Sequence, residues 1–185
     1  MDQGRTRVED LLKEMAWSAA RGGQEGPFHV SVDAGMDPAL FGIVVEKARE
    51  AGARLVTVEG CGEARCEMLL EAASRFPDMV LMPGMAGEAI TEGTAGEMAA
   101  VGNVWPAILT GSAQAIDAMG RLAVAGAVFG FAAVIDRESA DEIGSEGFVD
   151  RWVSAGAMFG RVTQRRPSGS DPDIATLATA GQRDQ

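Results

Sequence analysis

Tyrosine is missing from this chain of 185 residues, histidine occurs once, and aromatic side chains make up only 5%. A β-sandwich core is therefore disfavoured, and the 46% apolar share, in a chain where Ala and Gly are abundant, suits helices packed closely over a sheet. Two cysteines are too few for a disulfide framework, and the spacing of Cys61 and Cys66 is neither that of a CxxC pair nor that of a zinc knuckle. Lys13 and Lys47 are the only lysines and neither follows a GxxxxGK pattern, so Schiff-base chemistry and a P-loop have almost no candidates. Basic residues number 16 against 27 acids, and the net charge of -11 repels phosphate polymers and anionic membranes over long range. A single phosphate is still allowed, because backbone N–H groups at a helix N-terminus act locally.

Long hydrophobic runs are lacking as well. The longest, Leu122 to Ile135, contains Gly126 and Gly130 and falls short of the roughly 17–25 residues a spanning helix needs. The opening Met1-Asp2-Gln3-Gly4-Arg5 leads into a charged amphipathic stretch rather than a signal core, so the expected location is the cytoplasm.

What is present alternates. Val8, Leu11, Leu12, Met15 and Ala19 recur at helical spacing up to Gly22-Gly23, which predicts an N-terminal amphipathic helix within residues 1–24, packed on the domain. Phe28 to Val32 reads as a strand, and Asp37-Pro38 opens a helix reaching Ala51-Gly52. Leu55 to Val58 is a second strand, Glu63 to Phe76 a helix, and Met79 to Met82 a third strand stopped by Pro83-Gly84. Gly93 to Val101 reads as helix, Trp105 to Leu109 as a fourth strand, and Ser112 caps a helix to about Leu122. A fifth strand lies within Ala127 to Ile135. Ser139 and Glu142 are spaced as a capping box, and Phe148, Trp152, Val153 and Phe159 give the last helix its apolar stripe.

The expected fold is one α/β domain over 25–164, a Rossmann-like three-layer sandwich with a mostly parallel sheet of about five strands. Residues 165–185, rich in Arg, Pro, Ser, Gly and Asp, are expected to be a disordered tail.

Ligands of open parallel sheets bind beyond the strands' carboxyl ends. Those positions hold Asp33, Gly35 and Asp37, then Glu59, Gly60 and Cys61, then Pro83-Gly84, then Thr110-Gly111-Ser112, then Asp136. Between Pro83-Gly84 and Trp105-Pro106 stands Gly93-Thr94-Ala95-Gly96-Glu97. Glycines there let backbone approach a phosphate, the new helix offers free N–H groups, and Glu97 faces the same cleft.

These residues resemble the Lonely Guy family of nucleoside 5'-monophosphate phosphoribohydrolases, once called lysine-decarboxylase-like, whose PGGxGTxxE motif opens a helix after a strand. Pro83-Gly84, Gly93-Thr94, Glu97 and Pro106 match it in order, and the likeness extends over most of 28–143. An insertion separates Pro83-Gly84 from Gly93-Thr94, and Met36 stands where the family has serine. The resemblance implies cleavage of an N-glycosidic bond in a nucleotide, with Glu97 stabilising or attacking the sugar cation and Asp33 orienting a hydroxyl or protonating the base. It also implies a nucleotide or phosphosugar held by Gly35, Gly60, Pro83, Gly84, Gly93, Thr94, Ala95, Thr110 and Ser112. No metal and no cofactor is expected, and a homo-oligomer is. The same loop without an aligned carboxylate would make a non-catalytic nucleotide sensor or scaffold. A thiol enzyme using Cys61 is a further alternative.

Simpler readings stand beside these. Glu97 suits a helix dipole, Asp33-Ala34-Gly35 suits a turn, and His29 suits a strand interior or edge. Asp136, Glu138, Asp141 and Glu142 suit a solvated loop and a helix N-terminus.

Overall fold

A computed structural model describes residues 29–33, 35–164 and 176–183. The N-terminal helix expected within 1–24 lies outside the described residues.

Sequence alternation does produce parallel strands, and there are six. They are β1 (His29–Asp33), β2 (Leu55–Cys61), β3 (Val80–Met85), β4 (Ala107–Leu109), β5 (Gly130–Ile135) and β6 (Gly160–Gln164). Each pairs in parallel with the next, in the order β1-β2-β3-β4-β5-β6. The intervening helices are α1 (Pro38–Glu50), α2 (Cys66–Arg75), α3 (Glu92–Val101), α4 (Ala115–Ala125), α5 (Ala140–Ile143) and α6 (Glu146–Ser154), with a short α7 (Ala180–Arg183) near the C-terminus.

That order corrects the Rossmann-like expectation. A doubly wound sheet reverses direction at a switch point and puts helices on both faces. Here nothing reverses, and α1 touches α2, α2 touches α3 and α3 touches α4, so these helices form one layer. Right-handed crossovers that always step the same way leave all their helices on one side. The result is a curled half-barrel of six strands rather than a flat three-layer sandwich.

Side-chain alternation follows from that geometry. In β1, Val30 and Val32 are buried toward the helices while His29, Ser31 and Asp33 are exposed. The core between sheet and helices is filled by Val56, Val58, Leu81, Met85 and Ile108 from strands, and by Phe41, Leu69, Met98, Met119 and Leu122 from helices. Asn103, buried just before β4, donates from its amide nitrogen to the carbonyls of Ala73, Phe76 and Met79 at 3.0, 3.1 and 2.9 Å. It ties the end of α2 to the start of β3.

The concave face is shaped by small residues. Gly84, Ala107 and Gly130 lie side by side in register on β3, β4 and β5. A Cβ on Gly84 would stand 3.2 Å from the Arg161 guanidinium, and one on Gly130 would run into the Phe159 carbonyl and ring. Across this row Arg161 of β6 forms a bidentate ion pair with Glu59 of β2, Nη2 to Oε2 at 2.8 Å and Nη1 to Oε1 shorter still. A flat sheet would separate those strands by four spacings of about 4.8 Å, roughly 19 Å, which is more than the two side chains span together.

Two boundaries depart from expectation for visible reasons. Pro83-Gly84 does not stop β3. An extra residue in β2 between Val58 and Cys61, with Gly60 at φ 70°, breaks the ladder opposite it, and a proline is tolerated at such an irregularity. The last helix ends at Ser154 instead of Phe159, because Gly156 at φ 95° turns the chain into the unforeseen β6.

Of the tail expected to be disordered, residues 176–183 are described. Ala178 is buried, Arg137 N–H donates to the Thr176 carbonyl at 2.9 Å, and Gln182 donates to Asp141 at 3.1 Å. Among the described residues no helix is long and apolar enough to cross a membrane.

The ion pair predicts an asymmetry. Arg161 is 21% exposed and Glu59 48%. Glu59→Ala strands the more buried charge and is expected to cost about 1–3 kcal/mol in urea unfolding. Arg161→Met leaves a carboxylate that water can reach, and is expected to cost less than about 1 kcal/mol.

Candidate functional site

Most of the expected site residues serve the fold. Asp33 ends β1 and its carboxylate accepts the Gly35 N–H at 2.6 Å, a turn closing on itself. Gly60 makes the bulge, and Pro83 and Gly84 lie inside β3.

The Gly93-Thr94 segment is a capped helix start. α3 begins one residue earlier than expected, behind Thr91 as N-cap. Thr91 Oγ1 accepts the Thr94 N–H at 3.2 Å, and Thr94 Oγ1 accepts the Thr91 N–H at 2.8 Å. The reciprocal pair uses two donors that a phosphate would need. Ala95 is buried, and Glu97 is exposed on α3. Its charge acts on Cys66, whose thiol it helps hold in the protonated form.

The loops after β3 and β4 are locked together. Ser112 was expected to cap a helix, but its hydroxyl accepts the Gly87 N–H at 2.8 Å and α4 begins at Ala115. Gly87 approaches so closely that a Cβ would stand 2.5 Å from the Gln114 backbone. Arg121 of α4 donates to the Ile90 carbonyl at 2.7 Å and to that of Gly87 at 3.5 Å.

Against this rigid corner opens a cleft of about 430 Å³ at the carboxyl ends of β4 and β5. Thr110, Gly111 and Ser112 border it after β4, Val134 and Asp136 border it along β5, and Ser139 and Glu142 stand near α5. Leu109, Ala132, Ile143, Phe148 and Trp152 supply its apolar lining. The volume falls in the range of small-molecule sites, which run from about 300 to 1,000 Å³.

Of the expected ligand residues, Thr110 and Ser112 reach this cleft; Glu97 and Asp33 do not line it. Phe148 and Trp152 were expected as the core stripe of the last helix, and they are that as well. Phe131, Phe148 and Trp152 form a ring cluster with centroids 5.7 to 6.1 Å apart. A core stripe and a cleft floor have the same periodicity, so spacing alone does not separate them.

The Ser139 to Glu142 capping box does not form. The Ser139 hydroxyl accepts the Asp136 N–H at 3.0 Å and points its proton at the Val134 carbonyl or the Asp136 carboxylate. Asp136 Oδ1 accepts the N–H groups of Glu138 and Ser139 at 3.1 and 3.0 Å. Glu142 leans outward to Arg151, Oε1 to Nη1 2.8 Å. No group of three or more metal-ligating side chains is found among the described residues.

The thiols are shielded. Cys61 is 3% exposed, and burial first, then the neighbouring Cys66, pushes its pKa up to about 12. Burial first, then Glu63 and Glu97, pushes Cys66 to about 11. Neither supplies the thiolate that nucleophilic chemistry needs near neutral pH.

No family model and no curated protein matches the sequence. Among solved structures, "a putative lyase/mutase from Burkholderia cenocepacia J2315" is 15% identical with a TM-score of 0.49, the match covering 85% of this chain and 60% of that one. This chain thus spans 60% of that protein's length. Triosephosphate isomerase from Bartonella henselae is 14% identical with a TM-score of 0.41, over 84% of this chain and 86% of that one.

Thiol titration reports on this interior. Both folded thiols hold their protons more tightly than an unfolded thiol with the ordinary pKa of 9.0. Their stabilisation is whole below about pH 9 and is lost as pH rises toward 11 and 12. A disulfide reagent at pH 8 is expected to label neither cysteine in the native protein and both in urea. Cys61→Ala with Cys66→Ala is expected to make the fall of Tm above pH 9 shallower.

Proposed function

We propose that this chain binds a small organic ligand of nucleoside, nucleotide or phosphosugar size in the cleft between β4 and β5, as a binding protein rather than a catalyst. One observation carries the reading: an apolar hollow floored by Phe148 and Trp152 and bordered by the hydroxyls of Thr110, Ser112 and Ser139 and the carboxylates of Asp136 and Glu142. Apolar walls give such a site its affinity, and a few convergent polar groups orient the guest. It also lies where α/β proteins keep their ligands, at the carboxyl ends of parallel strands.

The charge of the lining ranks the guests. Among the described lining residues there are two carboxylates and no lysine or arginine. Glu142 is engaged by Arg151, and since no lining residue offers a cation to a phosphate, a neutral nucleoside or sugar fits that border better than its phosphate. N-glycosidic cleavage finds less support, since Glu97 lies outside the cleft, and the thiol reading fails on shielding. Association between copies is also proposed. Val149 and Val153, one turn apart on α6, are 50% and 57% exposed, and sedimentation is expected to show a species heavier than the monomer.

Thermal melting tests the binding. Val134 is 44% exposed on the cleft wall, so Val134→Trp fills the hollow without entering the core. A ligand at a hundredfold excess over its Kd stabilises by about 2.7 kcal/mol, or roughly 5–11 °C for a domain of this size. That rise is expected with inosine, a smaller one with inosine monophosphate and ribose 5-phosphate, and none in Val134→Trp. Release of free base that is lost in Glu97→Gln would replace the binding protein by the hydrolase.

A further inference from the structure

β6 ends the sheet with an edge that nothing guards. Among the described residues it has β5 on one side and no strand on the other, and all of it but Arg161 is exposed. The Phe131 N–H donates to the Phe159 carbonyl at 3.1 Å, and peptide groups alternate along a strand, so Phe159, Arg161 and Thr163 bond toward β5. The N–H and C=O groups of Gly160, Val162 and Gln164 therefore point away from the sheet. Proteins blunt such an edge with a free charge, a proline or a bulge. β6 has none of these: its one charge, Arg161, is drawn across the concave face to Glu59, and its register with β5 is unbroken from Gly160 to Gln164. β1, at the opposite edge, ends in the exposed carboxylate of Asp33.

We infer that two copies of this chain pair β6 with β6 antiparallel across a two-fold axis at Val162, joining two half-barrels into one continuous sheet. The inference deepens the association between copies proposed above and rests on it. The edge is self-complementary in this register. With Val162 opposite its own copy, Gly160 meets Gln164 of the partner subunit, and every outward N–H finds an outward carbonyl. Charge favours the same register. Arg161, already neutralised by Glu59, faces the uncharged Thr163 of the partner subunit, so no like charges meet. From Arg151 to Ser170 the sequence has no acid, and this is where two copies of a chain of net charge -11 repel least. Apolar side chains add to the contact. A Cβ on Gly160 would strike the Phe131 ring, so Gly160 and, two residues on, Val162 share the face on which α6 packs Phe148 and Trp152 against Phe131. Val162 is 45% exposed there, and Met158, at the approach to β6, is 71% exposed. Val149 and Val153 of α6 supply area that a strand of five residues lacks by itself.

Sedimentation velocity with substitutions at position 162 tests the pairing. Wild-type protein is expected to sediment as a dimer. Val162→Pro removes only an outward N–H, which an edge strand tolerates, and Val162→Lys puts a charge on the axis. Each is expected to weaken dimerisation about tenfold or more with the far-ultraviolet circular dichroism unchanged. Cα atoms about 5.5 Å apart in such a pair lie within disulfide range, so Val162→Cys is expected to give a covalent dimer under mild oxidation. Thr163→Cys, which faces Arg161 of the partner subunit, is expected to give none, and Cys61 and Cys66 are buried. A monomeric wild type would overturn both the inference and the association it rests on. A dimer that persists in Val162→Pro and Val162→Lys, or that does not cross-link through Val162→Cys, would overturn the inference alone and leave α6 as the contact. Growth into polymers would overturn it in favour of β1 pairing with β6 of the next copy.

Discussion

Arg161 meets Glu59 across the concave face of the sheet, and that contact depends on the strands following one another in chain order without reversal. A parallel sheet whose crossovers always step the same way accumulates its twist in one sense and curls. Curling brings β2 toward β6, and the row of Gly84, Ala107 and Gly130 keeps the hollow side thin enough for Arg161, Phe159 and Trp105 to lie over it. Trp105 and Phe159 meet there with ring centroids 6.5 Å apart. Larger side chains in that row would push these groups away and open the sheet. Concave packing and strand order are therefore one constraint viewed from two sides.

The same curl decides where a ligand can enter. Loops at the carboxyl ends of neighbouring strands are fanned around a mouth, and those after β3 and β4 are tied into one block by the Gly87 contact with Ser112 and by Arg121. Such a block has little freedom to reshape. The adjoining cleft is held by rigid backbone on one side and by the Phe131, Phe148 and Trp152 cluster on the other. Pre-formed walls lower the ordering cost of binding.

Strand and helix alternation was legible because buried parallel strands and amphipathic helices have different periods, and five of the six strands fall where those periods place them. β6 was not, because Gly160-Arg-Val-Thr-Gln164 is short and polar, and is exposed along most of its length. Strand order was not legible either. Alternation dictates parallel pairing, whereas the choice between a sheet that reverses and one that does not depends on long-range packing such as the Glu59 contact with Arg161, 102 residues apart. Thr110 and Ser112, picked by the rule about strand ends, do border the cleft. Glu97 does not line it, and a glycine-rich helix start has the same composition whether it binds a phosphate or caps itself, as Thr91 and Thr94 do here.

Electrostatics separates those two outcomes further. A helix start that binds phosphate needs free N–H groups and gains from nearby cations. At α3 two of those donors are spent on threonine hydroxyls, and the neighbouring side chains include Glu92 and Glu97. Around the cleft, the cation Arg151 is drawn outward to Glu142. An overall charge of -11 adds to the repulsion at both places. Affinity for a guest must then come from apolar contact and neutral hydrogen bonds, and the cleft is the place that offers both.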